Sequence, residues 1–478
     1  HRVKGGRNME TKGKLGLGSG ISVAVGLIVA TSCLLSLGSG IGLAGPMFIL
    51  PLFVVLILNS FIAISFAELN RMMPDIDGGV GQYMLVGLGP LASIVSNTSA
   101  YVITEMLSAS VELSMCGLII HQLIPQIPAM IVSLALLAIL FGVNYFGVDM
   151  FAKIQNIVVI LLLGSMLLLG LISVLHLGTG HIIQSAVQDK PQISGIGGVM
   201  GLSATAFWLF IGVEFVIPVS KELKNPKRNV ILSMIFGLGI LFVLQSILGI
   251  GMTQYVKLSQ LAGSDTPHMI FATNLLGHAG SVWMGLVTVL AGISTLNTIL
   301  PSTSKIMQGM AEEGMYPKIF EKTNRHGVAL AGMCLMCGVI ALILVTGYAS
   351  SSGLSNMILA ASCFWLVSYD LTHLNVIVLR KRYPEAPRNE KLRFANIPQI
   401  LGIIGIIYMI WNISSDMESR LMIYRLFFII FALLVVVAFC WVKFVMKVKP
   451  FKAVPIEEVS KEAYRWRKEA SKPEYIYS

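Results

Sequence analysis

Residues 196–229 read IGGVMGLSATAFWLFIGVEFVIPVSKELKNPKRN. Positions 196–219 carry one charge, Glu214, and show no strand-like alternation, so this is a helix-forming run of membrane length: a hydrocarbon core of about 30 Å needs about 20 apolar residues. Backbone polar groups cannot stay unpaired in lipid, which leaves helices or closed barrels, and the runs here do not alternate as barrel strands do. Gly212 sits beside Glu214 within the run, where a helix tolerates unwinding. The basic string from Lys221 to Arg228 follows, as expected of a cytoplasmic end.

The rest of the chain repeats the pattern. Of 478 residues, 55% are hydrophobic and 12% charged, and the mean hydropathy is +0.80, too apolar for a soluble globular chain. Twelve spans are expected, near 19–42, 46–69, 88–120, 127–147, 151–176, 196–219, 230–256, 279–308, 329–347, 353–380, 398–413 and 421–445. The expected fold is therefore an all-α polytopic membrane protein. The formal net charge of +10 would point to nucleic acid in a soluble protein. Here the basic residues gather in loops after even-numbered spans (Arg71; Lys221 to Arg228; Lys318, Lys322 and Arg325; 380–393), so they report topology. Both termini are expected in the cytoplasm, and no nucleic-acid partner is expected. The first run is too long for the apolar core of a signal peptide and is kept as span one. Residues 1–8, ahead of Met9, read as a tag remnant or upstream extension. Six cysteines lie inside apolar runs and form no disulfide framework; Cys334 and Cys337 read as small packing residues, not metal ligands.

The polar connection 176–195 separates spans one to five from spans six to ten. An odd number of spans per half forces opposite orientations, the geometry of an inverted repeat. Expected units are a cytoplasmic tail (1–18), a first repeat (19–176), a second repeat (196–380), spans eleven and twelve (398–445) and a second cytoplasmic tail (446–478). Such a repeat predicts interruptions at matching depth in spans one and six, and small residues occupy both places: Gly26 and Ala30 to Cys33 in the first, Gly212 in the second. No H-E-x-x-H, G-x-S-x-G or paired-aspartate motif appears in any span, which argues against a membrane enzyme, and no selectivity-filter repeat argues for a channel.

Several strings resemble the amino acid, polyamine and organocation permease superfamily. Phe66-Ala67-Glu68-Leu69 with Pro74, Gly78-Gly79 and Tyr83 follows span two. Phe210-Ile211-Gly212-Val213-Glu214 with Lys221-Glu222-Leu223-Lys224-Asn225-Pro226-Lys227-Arg228 ends span six. Ser294-Thr295-Leu296-Asn297, Gly314-Met315-Tyr316-Pro317 and Leu379-Arg380-Lys381-Arg382-Tyr383-Pro384 complete the set in family order. The chain is similar to bacterial amino acid antiporters of the arginine/agmatine kind. The resemblance implies a leucine-transporter-like fold of five plus five inverted helices, alternating access, and a substrate site between spans one, three, six, eight and ten. It makes the protein a secondary transporter of amino acids or related amines in a bacterial cell membrane, working as exchanger or proton-coupled symporter, with a sodium symporter or a non-transporting sensor as alternatives. No cofactor or metal is expected; partners are the small-molecule substrate, the bilayer, protons for a symporter, and a second copy if the protein is a homodimer.

An amino acid zwitterion must lose water without leaving either charge unpaired. At a helix break, free N–H groups bind carboxylate and free carbonyls bind ammonium. By resemblance, the amides around Thr31 and Ser32 take the carboxylate and the carbonyls of Ile28, Trp208 and Ile211 the ammonium, with Ala30, Cys33, Phe210 and Gly212 completing the site. Ala30, Ser32 and Cys33 stand where glycine-rich strings are common. Trp208 matches an aromatic that closes over substrate. Glu214 within a span costs about 2.5–3.5 kcal/mol if charged, so it is protonated, paired or functional, and is a candidate coupling group against a plain structural role. Glu105 and Glu112, seven apart, share one face of span three; Glu105 is expected to recognise a cationic side chain or amine, Glu112 to be solvated or to pack. Asp370 and His373, three apart, are expected to form a structural pair. Ser294 and Thr295 supply hydroxyls where sodium-coupled relatives of the fold hold an ion, although membrane hydroxyls usually bond their own backbone. Leu162 stands where sodium-independent relatives carry a lysine, which removes that coupling device.

Overall fold

The computed structural model describes residues 15–76, 79–146, 150–347, 353–392 and 394–470. Residues 1–8, Gly78 and Arg393 lie outside the described residues. In chain order the helices are α1 (Leu17–Gly26), α2 (Thr31–Ala44), α3 (Ile49–Met72), α4 (Tyr83–Gly87), α5 (Pro90–Asn97), α6 (Thr104–Leu123), α7 (Ala129–Tyr145), α8 (Met150–Val174), α9 (Ile196–Met200), α10 (Ser203–Trp208), α11 (Pro226–Tyr255), α12 (Leu258–Gly263), α13 (Pro267–Glu312), α14 (Leu330–Val345), α15 (Leu354–Arg382), α16 (Ile397–Trp411), α17 (Met417–Cys440), α18 (Ile456–Val459) and α19 (Lys461–Ala470). No named strand occurs among the described residues; two isolated bridges, Leu15 with Leu223 and Thr323 with Ala329, are the only β pairing.

Nine helical segments among the described residues are long and apolar enough to cross a membrane, and α1, α7 and α14 are shorter apolar helices. The peripheral faces of α8 and α17 expose Ile157, Ile160, Phe428, Leu433 and Val436, which lipid covers without cost and water would not. The chain is an integral membrane protein. Its centre is built around α2, which packs on α6, α10, α13 and α15, while α11 braces α1 and α3 and α8 packs on α1 and α11.

Local chemistry sets where these helices stop. Gly45, at φ 63°, and Pro46 separate α2 from α3. Asn225 in the left-handed region followed by Pro226 starts α11, since proline fits the first turn. Helix α13 bends at Gly277 (φ 65°), so the span expected at 279–308 is preceded by a further helical arm from Pro267. Between α5 and α6 the residues Thr98–Ile103 form a π-helical turn, a feature frequent at functional sites.

Both faces of the bundle are tied down. On one, Gln188 donates to Thr253 O at 2.6 Å, and Asp189 accepts from Ser259, whose hydrogen bonds hold its carboxyl below the usual range. On the other, Glu68 of α3 receives Arg380 of α15 (Nε 3.0 Å to Oε1, a second nitrogen 2.5 Å to Oε2) and Arg388 (2.8 Å), all buried. This ion cluster unites two strings that the sequence offered only as separate motifs. The polar tail docks beside it: the Trp466 indole donates to Met72 O at 3.1 Å, Ser460 bonds Asp75, and Arg467 pairs with Glu385 and Glu457.

Candidate functional site

The first interruption lies between α1 and α2. Residues 27–30 leave the helix, Ala30 adopts an extended backbone (φ −110°, ψ 163°), and Thr31 opens α2. A helix start presents N–H groups with no partner inside the helix and a partial positive charge. Both are met from α6. Thr31 N donates to Glu112 Oε2 at 2.7 Å and Ser32 N to Glu112 Oε1 at 2.9 Å. Glu112 is 0% exposed. Two expectations are corrected here. Glu112 is neither solvated nor a bystander, because its carboxylate caps the broken helix. The Thr31 and Ser32 amides are therefore already engaged by an internal carboxylate. The Thr31 hydroxyl also faces away, donating to Thr288 O on α13 at 2.8 Å.

The second interruption follows α10. Residues 209–212 unwind, Gly212 takes φ 108°, and a tight 3-10 segment, Val213–Glu222, continues the chain. A Cβ on Gly212 would stand 2.9 Å from Leu27 Cδ2, so the two interruptions abut. Here carbonyls are the exposed ends, and amide side chains meet them: Gln245 Nε2 donates to Leu209 O at 3.0 Å and Asn59 Nδ2 to Phe210 O at 3.1 Å. The interruptions are linked directly by Trp208 Nε1, which donates to Ser32 Oγ at 2.9 Å. The Cys33 thiol lies 2.8 Å from Ile28 O and 3.7 Å from Trp208 O, among the carbonyls expected to face an ammonium.

Between them lies a small cavity lined by Leu27, Ile28, Ala30, Ser32, Cys33, Glu105, Ser108, Trp208, Ile211, Thr295 and Trp365. Its free space of about 20 Å³ suits roughly one water, so this conformation has no room for a larger solute. Eight of the residues singled out from sequence come together there: Ile28, Ala30, Ser32, Cys33, Glu105, Trp208, Ile211 and Thr295. Phe210 and Gly212 shape the break without lining the cavity, and Ser294 is buried on α13 outside the lining. The Thr295 hydroxyl and Glu105 Oε1 are buried without a hydrogen-bond partner. No lysine or arginine is among the lining residues. Among the described residues no group of three or more His, Cys, Asp or Glu side chains is placed to hold a metal ion.

Glu214 sits behind the cavity in an aromatic cage. Oε1 accepts from Tyr101 OH and Trp365 Nε1, both at 3.1 Å, and Oε2 from Tyr369 OH at 2.8 Å. Tyr101 and Trp365 meet edge to face at 5.4 Å between ring centroids. Tyr101 belongs to the π turn, and Trp365 and Tyr369 lie one helical turn apart on α15. None of the three was singled out in the sequence; the i, i+4 spacing marks Trp365 and Tyr369 as a pair, but nothing local joins them to Tyr101 or to Glu214. The Asp370 and His373 pair does not form. His373 Nδ1 bonds Ser65 Oγ at 3.0 Å, while Asp370 Oδ1 has no partner. Cys334 faces outward from α14 instead of packing.

The sequence profile of the amino acid permease family matches residues 20–453. A branched-chain amino acid permease of Bacillus subtilis is 24% identical over 84% of this chain and 89% of its own length. A methylthioribose transporter of the same organism is 23% identical over 81% of this chain and 84% of its own. Among solved structures, a manganese transporter of Eremococcus coleocola superposes with a TM-score of 0.61 at 14% identity, covering 93% of this chain and 97% of that one, a likeness of fold alone.

Proposed function

We propose that this chain, which belongs to the amino acid permease family, carries amino acids or related amines across the cell membrane by alternating access, as an exchanger or proton-coupled symporter. The observation that carries the reading is the meeting of two interrupted helices around one small cavity lined by buried residues, with Trp208 of one donating to Ser32 of the other. Interrupted helices are tolerated at membrane depth where their backbone is buried in protein or lines a cavity, and transporters of this kind place their substrate sites at such interruptions. The relatives named above are a branched-chain amino acid permease and a methylthioribose transporter, so the family frame accommodates solutes of differing chemistry.

In this reading the twelve spans form two inverted repeats, 19–176 and 196–380, followed by 398–445, with both termini cytoplasmic. The short apolar helices α1, α7 and α14, and the Gly45 turn that divides the Thr31–Met72 segment, support the larger number of crossings. Ile28, Ala30, Ser32, Cys33, Glu105, Trp208 and Ile211 contact substrate; Thr31, Phe210 and Gly212 hold the backbone that does. Trp208 gates. Glu214, held by three donors from two elements, couples the state of the cage to the second break, and Thr295 with the neighbouring Ser294 contributes hydroxyls at the cavity wall. Opening requires the α1, α2, α3, α10 and α11 group to move against α6, α13 and α15.

Purified full-length protein in liposomes tests this. Loaded vesicles should take up labelled amino acid or amine by exchange, and a pH gradient should accelerate uptake if a proton is carried. The reading fails if no amino acid or amine exchanges and none raises the melting temperature.

A further inference from the structure

We infer that Glu112 is a built-in stand-in for a substrate carboxylate, so that the solute bound here is an amine or other organic cation without a free carboxylate for the first helix break to read. The inference rests on the transport reading and deepens it by naming the substrate class.

Hydrogen-bond arithmetic at the break leads to it. Each N–H has one proton to give, and the two at the start of α2 are given to the two oxygens of Glu112. A ligand carboxylate would have to displace Glu112, which is 0% exposed. The displaced group would be a buried carboxylate stripped of its donors beside a second carboxylate, and both terms oppose the exchange. Glu112 is no terminal ornament of its own helix; it reaches from α6 to a helix start 80 residues away in sequence.

The remaining charges point the same way. Glu105 stands within electrostatic range of two further carboxylates, Glu112 and Glu214, and no basic side chain lines the cavity. Glu112 is answered by the helix start and Glu214 by Tyr101, Trp365 and Tyr369. Glu105 is different. It is 2% exposed, it lines the cavity, and its Oε1 has no partner. Of the two unpartnered polar atoms at the cavity wall, the Thr295 hydroxyl is neutral and can serve as its own donor, while Glu105 Oε1 can only be met by a donor, which an ammonium supplies. An arriving zwitterion brings, in addition, an anionic group, and neither a basic side chain at the cavity nor the start of α2 is left to receive it.

The test compares matched ligands that differ at the carboxylate: arginine with agmatine, lysine with cadaverine and lysine methyl ester, tyrosine with tyramine. Thermal shift on the purified full chain and counterflow in liposomes are read for each. In at least one set the amine and the ester should bind at least tenfold tighter than the amino acid. Glu112→Ala, which frees the two amides, should reduce that ratio at least tenfold, and acetate should stabilise this variant but not the parent protein. An unaltered chain that binds each amino acid as tightly as its amine overturns the inference and leaves the transport reading standing. If no member of any set binds or exchanges, the transport reading falls and the inference with it. Should Glu112→Ala not fold, the ratios of the unaltered chain decide alone.

Discussion

The two helix breaks reach the same shape by opposite means. The second is written into its own strand of sequence: Gly212 supplies the left-handed backbone, and neighbouring amides from Asn59 and Gln245 satisfy the freed carbonyls. The first has no glycine at its turning point. Ala30 is merely extended, and what holds the opening of α2 is a carboxylate from another helix. One break is conformational and capped by neutral groups. The other is electrostatic and capped by a charge. A ligand approaching the pair meets free chemistry on the acidic side of the cavity, at Glu105, and a finished contact at Thr31 and Ser32.

The contrast can be broken most severely at Glu112. Glu112→Ala leaves two buried N–H groups without acceptors, each costing about 1–3 kcal/mol, and should lower the melting temperature more than any single change at the second break. Next is Gly212→Ala, where a Cβ in the left-handed region costs about 1–2 kcal/mol and meets Leu27; the variant should melt lower and lose exchange activity. Asn59→Leu keeps volume but orphans Phe210 O, an expected loss of about 1–3 kcal/mol, read by thermal denaturation in detergent. Trp208→Phe removes the indole donor to Ser32 together with part of the ring volume; the lost hydrogen bond alone is expected to cost about 0.5–1.5 kcal/mol, with a larger effect on exchange rate than on stability. Equal losses for Glu112→Ala and Asn59→Leu would erase the distinction between the breaks.

Most of the helices were legible because bilayer thickness imposes a length on every apolar run, and expected and observed ends differ mainly at caps. The arm from Pro267 to Gly277 escaped notice because His268, Thr273 and Asn274 interrupt its apolar run, so only the second arm has membrane length by itself. The second break was legible for a local reason: Phe210 to Glu214 combine the glycine, the aromatic and the acid in one string. The first was legible only as a place. Ala30, Ser32 and Cys33 are small, but their smallness does not reveal that the capping group lies on α6. Glu105 and Glu112 share a helix face, and the structure divides their roles by what each meets: a helix start for Glu112, an empty wall for Glu105. The cage around Glu214 and the Glu68 cluster with Arg380 and Arg388 are assembled from segments far apart in the chain, so a local pattern such as the Trp365 and Tyr369 spacing announces at most one part of each.

The central claim is that the first break is already occupied. An experimentally determined structure of the protein bound to the tightest ligand from the matched screen addresses it directly. The ammonium is predicted between Glu105 and the carbonyls of the breaks, with Glu112 still receiving Thr31 N and Ser32 N. A ligand carboxylate seated on those two amides, with Glu112 turned away, would contradict it.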